Sequence, residues 1–178
     1  GTKLLGQFSL VILRLIDIIF GMLTIYFSYK IGVLLFNNKY IILGIVTFVA
    51  LLPTFAYFNA HITNVNLDVL FSTVGIYLLL IALKKESYKL LILIGIVLGV
   101  AVITRANAVL LVIAGIFLFF LKYYRNKRFN YFSFIKSVSI ILIFLLLVSG
   151  WWFARNWVLY GDLVAANGLK LAKPQYKS

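Results

Sequence analysis

The sequence predicts an all-α, polytopic membrane helix bundle of about six transmembrane helices. Three observations carry this. The 178 residues are 64% hydrophobic and only 12% charged, where a soluble domain sits near half and a quarter. Mean hydropathy is +1.09, more apolar surface than a soluble core of this size can bury, so lipid is the natural solvent for the excess. The apolar residues also fall into long runs separated by short polar breaks.

The first run covers residues 10–36. Arg14 and Asp17 lie three apart near its start, a spacing that predicts an ion pair on one helix face, and Lys30 near its end can snorkel to the interface. Asn37, Asn38 and Lys39 end it. The second run, 40–58, contains Pro53, which a membrane helix tolerates as a kink. A polar stretch, NAHITNVN, covers 59–66. The third run, 67–83, opens at Asp68, with Asn66 as its candidate N-cap.

Residues 90–121 are apolar except for Thr104, Arg105 and Asn107. One helix of that length would measure about 48 Å, against a hydrocarbon core near 30 Å. It would also put Lys84, Lys85 and Lys89 on the opposite side from Lys122, Arg125, Lys127 and Arg128. A hairpin turning at 104–107 removes both conflicts and gives two short helices, 87–103 and 106–121. The sixth run is 132–152, and 153–178 reads as a mixed polar tail with Trp157 as an interfacial anchor. The whole chain reads as a single membrane domain.

The net charge of +13 would suggest nucleic acid in a soluble protein. Here the cations flank apolar runs, so they report orientation, and no nucleic-acid partner is expected. Loops and helix ends holding Lys30, Lys39, Lys84, Lys85, Lys89, Lys122, Arg125, Lys127, Arg128 and Lys136 are expected on the cytoplasmic side. Both ends of the chain then lie outside, in a cell-membrane protein with its polar face outward. The chain lacks cysteine, begins with Gly1 rather than Met, and carries no signal-peptide pattern, so it reads as a segment of a longer protein.

There are four carboxylates. Glu86, among lysines, is expected to be a solvated loop residue. Asp17, Asp68 and Asp162 fall at outer helix ends, with Arg14, Arg105, Arg155 and the single histidine, His61. Ionisable groups at membrane depth are costly and tend to be paired or functional. For Asp68, a helix cap or first-turn acid and a functional acid weigh equally. Arg105 at a hairpin tip is either a snorkelling terminus or a phosphate clamp, since arginine offers a planar fork of donors. His61 has no second histidine to complete a metal site, and no glycine-rich phosphate loop, GxSxG, HExxH or CxxC is present.

These residues resemble a known family. A helix ending LLPTFAYFNA leads through a polar loop to NLDVLFS, then to the hairpin GIVLGVAVITRANAVLL, and the last helix runs into WWFARNWVLYGD. The pattern resembles the GT-C superfamily of membrane glycosyltransferases, in particular its protein O-mannosyltransferase-like and aminoarabinose-transferase-like group. That resemblance implies a hexosyl- or pentosyltransferase of the cell envelope, using a polyprenyl-phosphate-linked sugar on the outer face. The acceptor would be a protein, lipid or glycan. The family's main acid lies in its first outer loop. The resemblance implies that the chain starts at the family's second helix, so the first helix and that loop are expected outside it. Asp68 would then be the second acid, orienting the acceptor or a divalent metal. Arg105 and Arg155 would hold the lipid phosphate, with His61, Asn66, Tyr160 and Asp162 lining the substrate site. Two other readings compete: a flippase for lipid-linked sugars, against which the nearly all-apolar mid-helix positions count, and a structural subunit whose polar cluster is caps, belts and local ion pairs.

Overall fold

The computed structural model describes residues 2–125 and 131–163, with side chains from residue 10 onward. Among these residues there are seven α-helices and no strand: α1 (Thr2–Leu35), α2 (Lys39–Leu51), α3 (Pro53–Ala60), α4 (Asn64–Lys84), α5 (Tyr88–Thr104), α6 (Val109–Tyr124) and α7 (Tyr131–Tyr160). Four segments are long and apolar enough to cross a membrane: 10–35, 64–84, 106–124 and 131–160. The pair α2 and α3, bent by 50°, passes the same test taken together and counts as a fifth only if it is one broken span rather than a re-entrant loop. The chain is therefore an all-α polytopic membrane protein.

The predicted helix at 40–58 is two helices. Leu52 leaves helical geometry (φ −63°, ψ 118°), and Pro53 takes the first position of α3. Proline disfavours helical backbone in the residue before it and suits a helix start, which explains the break better than a kink within one helix. The hairpin at 104–107 is present as expected. Arg105 is extended (φ −156°, ψ 125°), and a short 3-10 turn at Ala106–Ala108 leads into α6. The last helix extends to Tyr160 rather than stopping at 152, so Arg155 and Tyr160 are helical residues; the tail beyond 163 lies outside the described residues.

α5 has 17 residues, about 25 Å, at the short limit for crossing the hydrocarbon. It is tolerated because protein surrounds it. Leu91, Ile94, Leu98, Ala101 and Val102 are buried against α4 and α7, and Phe119 of α6 completes the core. Gly95 and Gly99 permit the close approach to α7. A Cβ at Gly95 would lie 2.6 Å from the Ile141 carbonyl oxygen, and one at Gly99 would lie 2.9 Å from the Val148 Cβ. Small residues four apart let membrane helices touch backbone to backbone.

α1 flanks this core. Asp17, Gly21, Thr24 and Gly32 are buried, Ser28 is half-buried, and the five share one helical face turned inward; Leu and Ile face lipid. The side chain of Asn59 on α3 fills the space a Cβ would take at Gly21. The expected Arg14–Asp17 pair does not form. Arg14 is exposed, and Asp17 Oδ2 is buried without a hydrogen-bond partner among the described residues.

Glu86 is not a solvated loop residue. It is half-buried, with Lys122 Nζ 2.5 Å from Oε2, and it accepts hydrogen bonds from the Tyr123 hydroxyl (2.9 and 3.0 Å) and the Ser137 hydroxyl. Lys122 also caps α4 by donating to the Ala82 carbonyl (2.8 Å), and Lys84 caps α1 by donating to Leu34 (2.7 Å). Burial alone would raise the Glu86 carboxyl; the hydrogen bonds from Lys122, Ser137 and Tyr123, with the Lys122 charge, outweigh it and hold the group below the ordinary range. The cations at this end are thus partly built into the fold.

Candidate functional site

The opposite end of the bundle is assembled from the α3–α4 loop and the α5–α6 hairpin. α4 starts three residues earlier than its apolar run suggests. Thr63, not Asn66, is the N-cap; its hydroxyl accepts from the Val65 N–H at 2.8 Å. Two consequences follow for the polar residues of this helix. Asn66 is freed from capping and is buried, donating through Nδ2 to the Phe58 carbonyl at 2.9 Å, which locks the end of α3 to α4. Asp68 is displaced into the second turn, where neither a cap nor a first-turn role accounts for it.

Asn64 donates to the Thr104 carbonyl at 3.2 Å, a bond spanning forty positions that fastens the start of α4 to the hairpin tip. It brings Arg105 within electrostatic reach of Asp68. Asp68 also accepts a long hydrogen bond from Ser72, 3.4 Å. The two charges do not form a direct ion pair, and the Arg105 guanidinium has no hydrogen-bond partner among the described residues. Arg105 is exposed and faces a cleft of about 450 Å³, bounded by α1, α2, α3 and α4. Its polar lining is Arg105, Asn66, Thr24, Ser28, Thr54 and Thr73; Val49, Leu52, Phe55, Phe58, Val65 and Val69 supply apolar walls.

The geometry sorts the candidates taken from the sequence. Asn66 and Arg105 line one cleft, with Asp68 beside Arg105. His61 caps α3 and points back to its own helix: its ring lies 4.4 Å from that of Tyr57, and Nδ1 is 2.8 Å from the Tyr57 carbonyl oxygen. Arg155, Tyr160 and Asp162 sit at the end of α7 and are not among the residues lining the cleft. There Asn156 is buried and donates to the Leu163 carbonyl at 3.3 Å, closing the turn at Gly161 (φ 64°).

The hydroxyl residues of the cleft were not singled out by the sequence. Thr24, Ser28 and Thr73 each bond the carbonyl four residues before, at 2.7–2.9 Å, and so pass as neutral helix positions. The usable signal was the spacing of Asp17, Gly21, Thr24 and Ser28 along one face of α1. As for a divalent metal, no group of three or more His, Asp, Glu or Cys side chains that could hold one occurs among the described residues. Asp68 lies within electrostatic reach of Arg105 in the cleft lining, and the described donors do not form a metal cage.

An amphipathic cleft, an uncommitted arginine at a hairpin tip and a neighbouring carboxylate suit a ligand that joins a charged head to an apolar tail. No curated protein and no solved structure matches the chain. The sequence profile of one family, described as dolichyl-phosphate-mannose-protein mannosyltransferase, matches residues 1–153, and the chain belongs to that family, a membrane glycosyltransferase of the GT-C type.

Proposed function

We propose that the chain forms part of the donor site of a transferase that moves a sugar from a polyprenyl-phosphate carrier on the outer face of the membrane. One observation carries this reading: Arg105, without a hydrogen-bond partner among the described residues, opens onto a cleft whose other walls are apolar or hydroxyl-bearing apart from the Asn66 amide. Arginine's fork matches a phosphate, and in a low-dielectric site its charge is worth far more than in water. The outward orientation is supported by the lysines and arginines at the other end of the bundle.

In this reading the acceptor hydroxyl oxygen attacks the anomeric carbon. The bond from that carbon to the phosphate oxygen breaks, and its electron pair leaves with the phosphate. Arg105 stabilises that charge as it develops. A carboxylate base takes the hydroxyl proton, and Asp68, held beside Arg105, orients the acceptor as a second acid. Asn66 keeps α3 and α4 in register around the cleft, and the apolar walls take the prenyl chain.

The test uses the full-length protein in lipid, with dolichyl-phosphate mannose and other polyprenyl-phosphate sugars as probes. Arg105→Ala is expected to weaken donor binding, and Arg105→Lys to weaken it less because charge survives while the fork does not. Unchanged donor affinity in Arg105→Ala would remove the phosphate role. Binding of none of the probes by the folded wild type would turn the reading towards a non-catalytic membrane subunit.

A further inference from the structure

A second cleft opens at the basic end of the bundle. α5 and α7 touch closely at Gly95 and Gly99. Two turns earlier along α5, Tyr88 and Leu91 line a cavity of about 440 Å³ together with Phe132, Ser133 and Lys136 of α7. Glu86, Ser137 and Tyr123 also line it.

The chemistry of this lining is one-sided. Glu86 is its carboxylate, and Lys122, Tyr123 and Ser137 already saturate it. Of the remaining groups, Lys136 only donates, and the Tyr88 and Ser87 hydroxyls can donate as well as accept. Lys136 is exposed, lies 4.9 Å from the centre of the Tyr88 ring and donates to the Tyr88 hydroxyl at 2.6 Å, which uses one of its three N–H groups. Tyr88 accepts that bond, and Ser87 accepts from the Leu90 N–H; neither hydroxyl proton has an acceptor among the described residues. Along the chain, Lys84, Lys85 and Lys89 flank Glu86, Ser87 and Tyr88, and Arg125 follows Tyr123 by two positions. The cleft sits where apolar helices give way to basic loops, the depth of lipid headgroups. Leu91 and Phe132 supply an apolar flank.

We infer that this cleft binds the phosphodiester headgroup of an anionic membrane lipid. Lys136, Tyr88 and Ser87 donate to the phosphate, and the acyl chains run along the exposed ring of Phe132. A zwitterionic lipid would also need a carboxylate for its ammonium, and the one present is taken. Basic pockets between helices on the positively charged side of membrane proteins recognise headgroups in this way. The inference does not depend on the transfer reaction.

Native mass spectrometry of the full-length protein, equilibrated with equal amounts of phosphatidylglycerol and phosphatidylcholine, tests it. Wild type is expected to retain phosphatidylglycerol preferentially. Lys136→Gln should lower that retention roughly fivefold, the effect of one lysine near an anionic surface. Lys136→Arg should keep it, and Lys30→Gln, at the same end of the bundle on α1, should leave it unchanged. Equal losses in Lys136→Gln and Lys30→Gln would show a diffuse charge effect and overturn the site. Equal retention of the two lipids by wild type would overturn it as well. Displacement of phosphatidylglycerol by millimolar inorganic phosphate would mark a free-anion site and overturn the lipid assignment.

Discussion

The two ends of the bundle hold the same kinds of residue and use them differently. At the basic end Glu86 is saturated by Lys122, Tyr123 and Ser137, and two lysines cap helix C-termini. At the other end Arg105 and Asp68 lie near each other without a direct pair, and Arg105 opens onto a cleft. A charge whose hydrogen-bonding capacity is filled by the protein serves the fold. A charge left with open capacity in a low-dielectric setting is available to a ligand. The same contrast separates Asn66, which is spent on holding α3, from Arg105, which is not.

If this contrast is right, substitutions at the cleft end change binding and turnover, and substitutions at the saturated end change stability. The largest expected effect is on turnover by the full-length protein with a polyprenyl-phosphate sugar: Asp68→Asn should lower it about a hundredfold, the scale of a misplaced reacting group. Its melting temperature should stay near wild type, because a single long hydrogen bond from Ser72 is its direct contact. Turnover near wild type would return Asp68 to a passive position on α4. Next, Arg105→Ala should weaken donor affinity by roughly thirtyfold, as for a charge-assisted contact of about 2 kcal/mol.

At the saturated end, Lys122→Met should destabilise the protein by about 1–2 kcal/mol, since Glu86 loses its charged partner and α4 loses a cap. Denaturant titration would read this, and a loss of donor affinity at unchanged stability would reverse the contrast. A pH series sharpens it. Because the folded-state Glu86 carboxyl lies below its ordinary range, its contribution is fully present above the unfolded value of about 4.3 and is lost as pH falls through the folded value. Melting temperature should therefore fall on acidification below about pH 4.3, and Glu86→Gln should flatten that part of the profile. The smallest effect belongs to His61→Gln, under about twofold in donor affinity, as for a surface change within about 0.5 kcal/mol, because His61 is held against Tyr57.

Much of the fold was legible in the sequence, for reasons that are local. The 104–107 hairpin could be read because one helix through 90–121 would overrun the bilayer and strand its lysines on both sides. Helix existence followed from apolar runs, and helix starts did not. Thr63 caps α4 because its hydroxyl reaches the Val65 N–H, a matter of backbone path that hydropathy does not record. The single residue Leu52 decided that 40–58 is two helices. Arg14 and Asp17 had the right spacing for an ion pair, yet α1 turns Asp17 inward and Arg14 out.

The sequence by itself determined that this is a membrane helix bundle, which end carries the basic loops, and that Asp68 and Arg105 come to the same end. Those properties depend on composition and on counting residues against a bilayer thickness. Only the tertiary structure decided which charges are spent. The partners of Glu86 lie 36 to 51 positions away on α6 and α7, and the bond that sets Arg105 beside Asp68 crosses forty positions from Asn64 to Thr104. Hydrogen-bond saturation is a property of groups brought together in space, and no local pattern of residues encodes it.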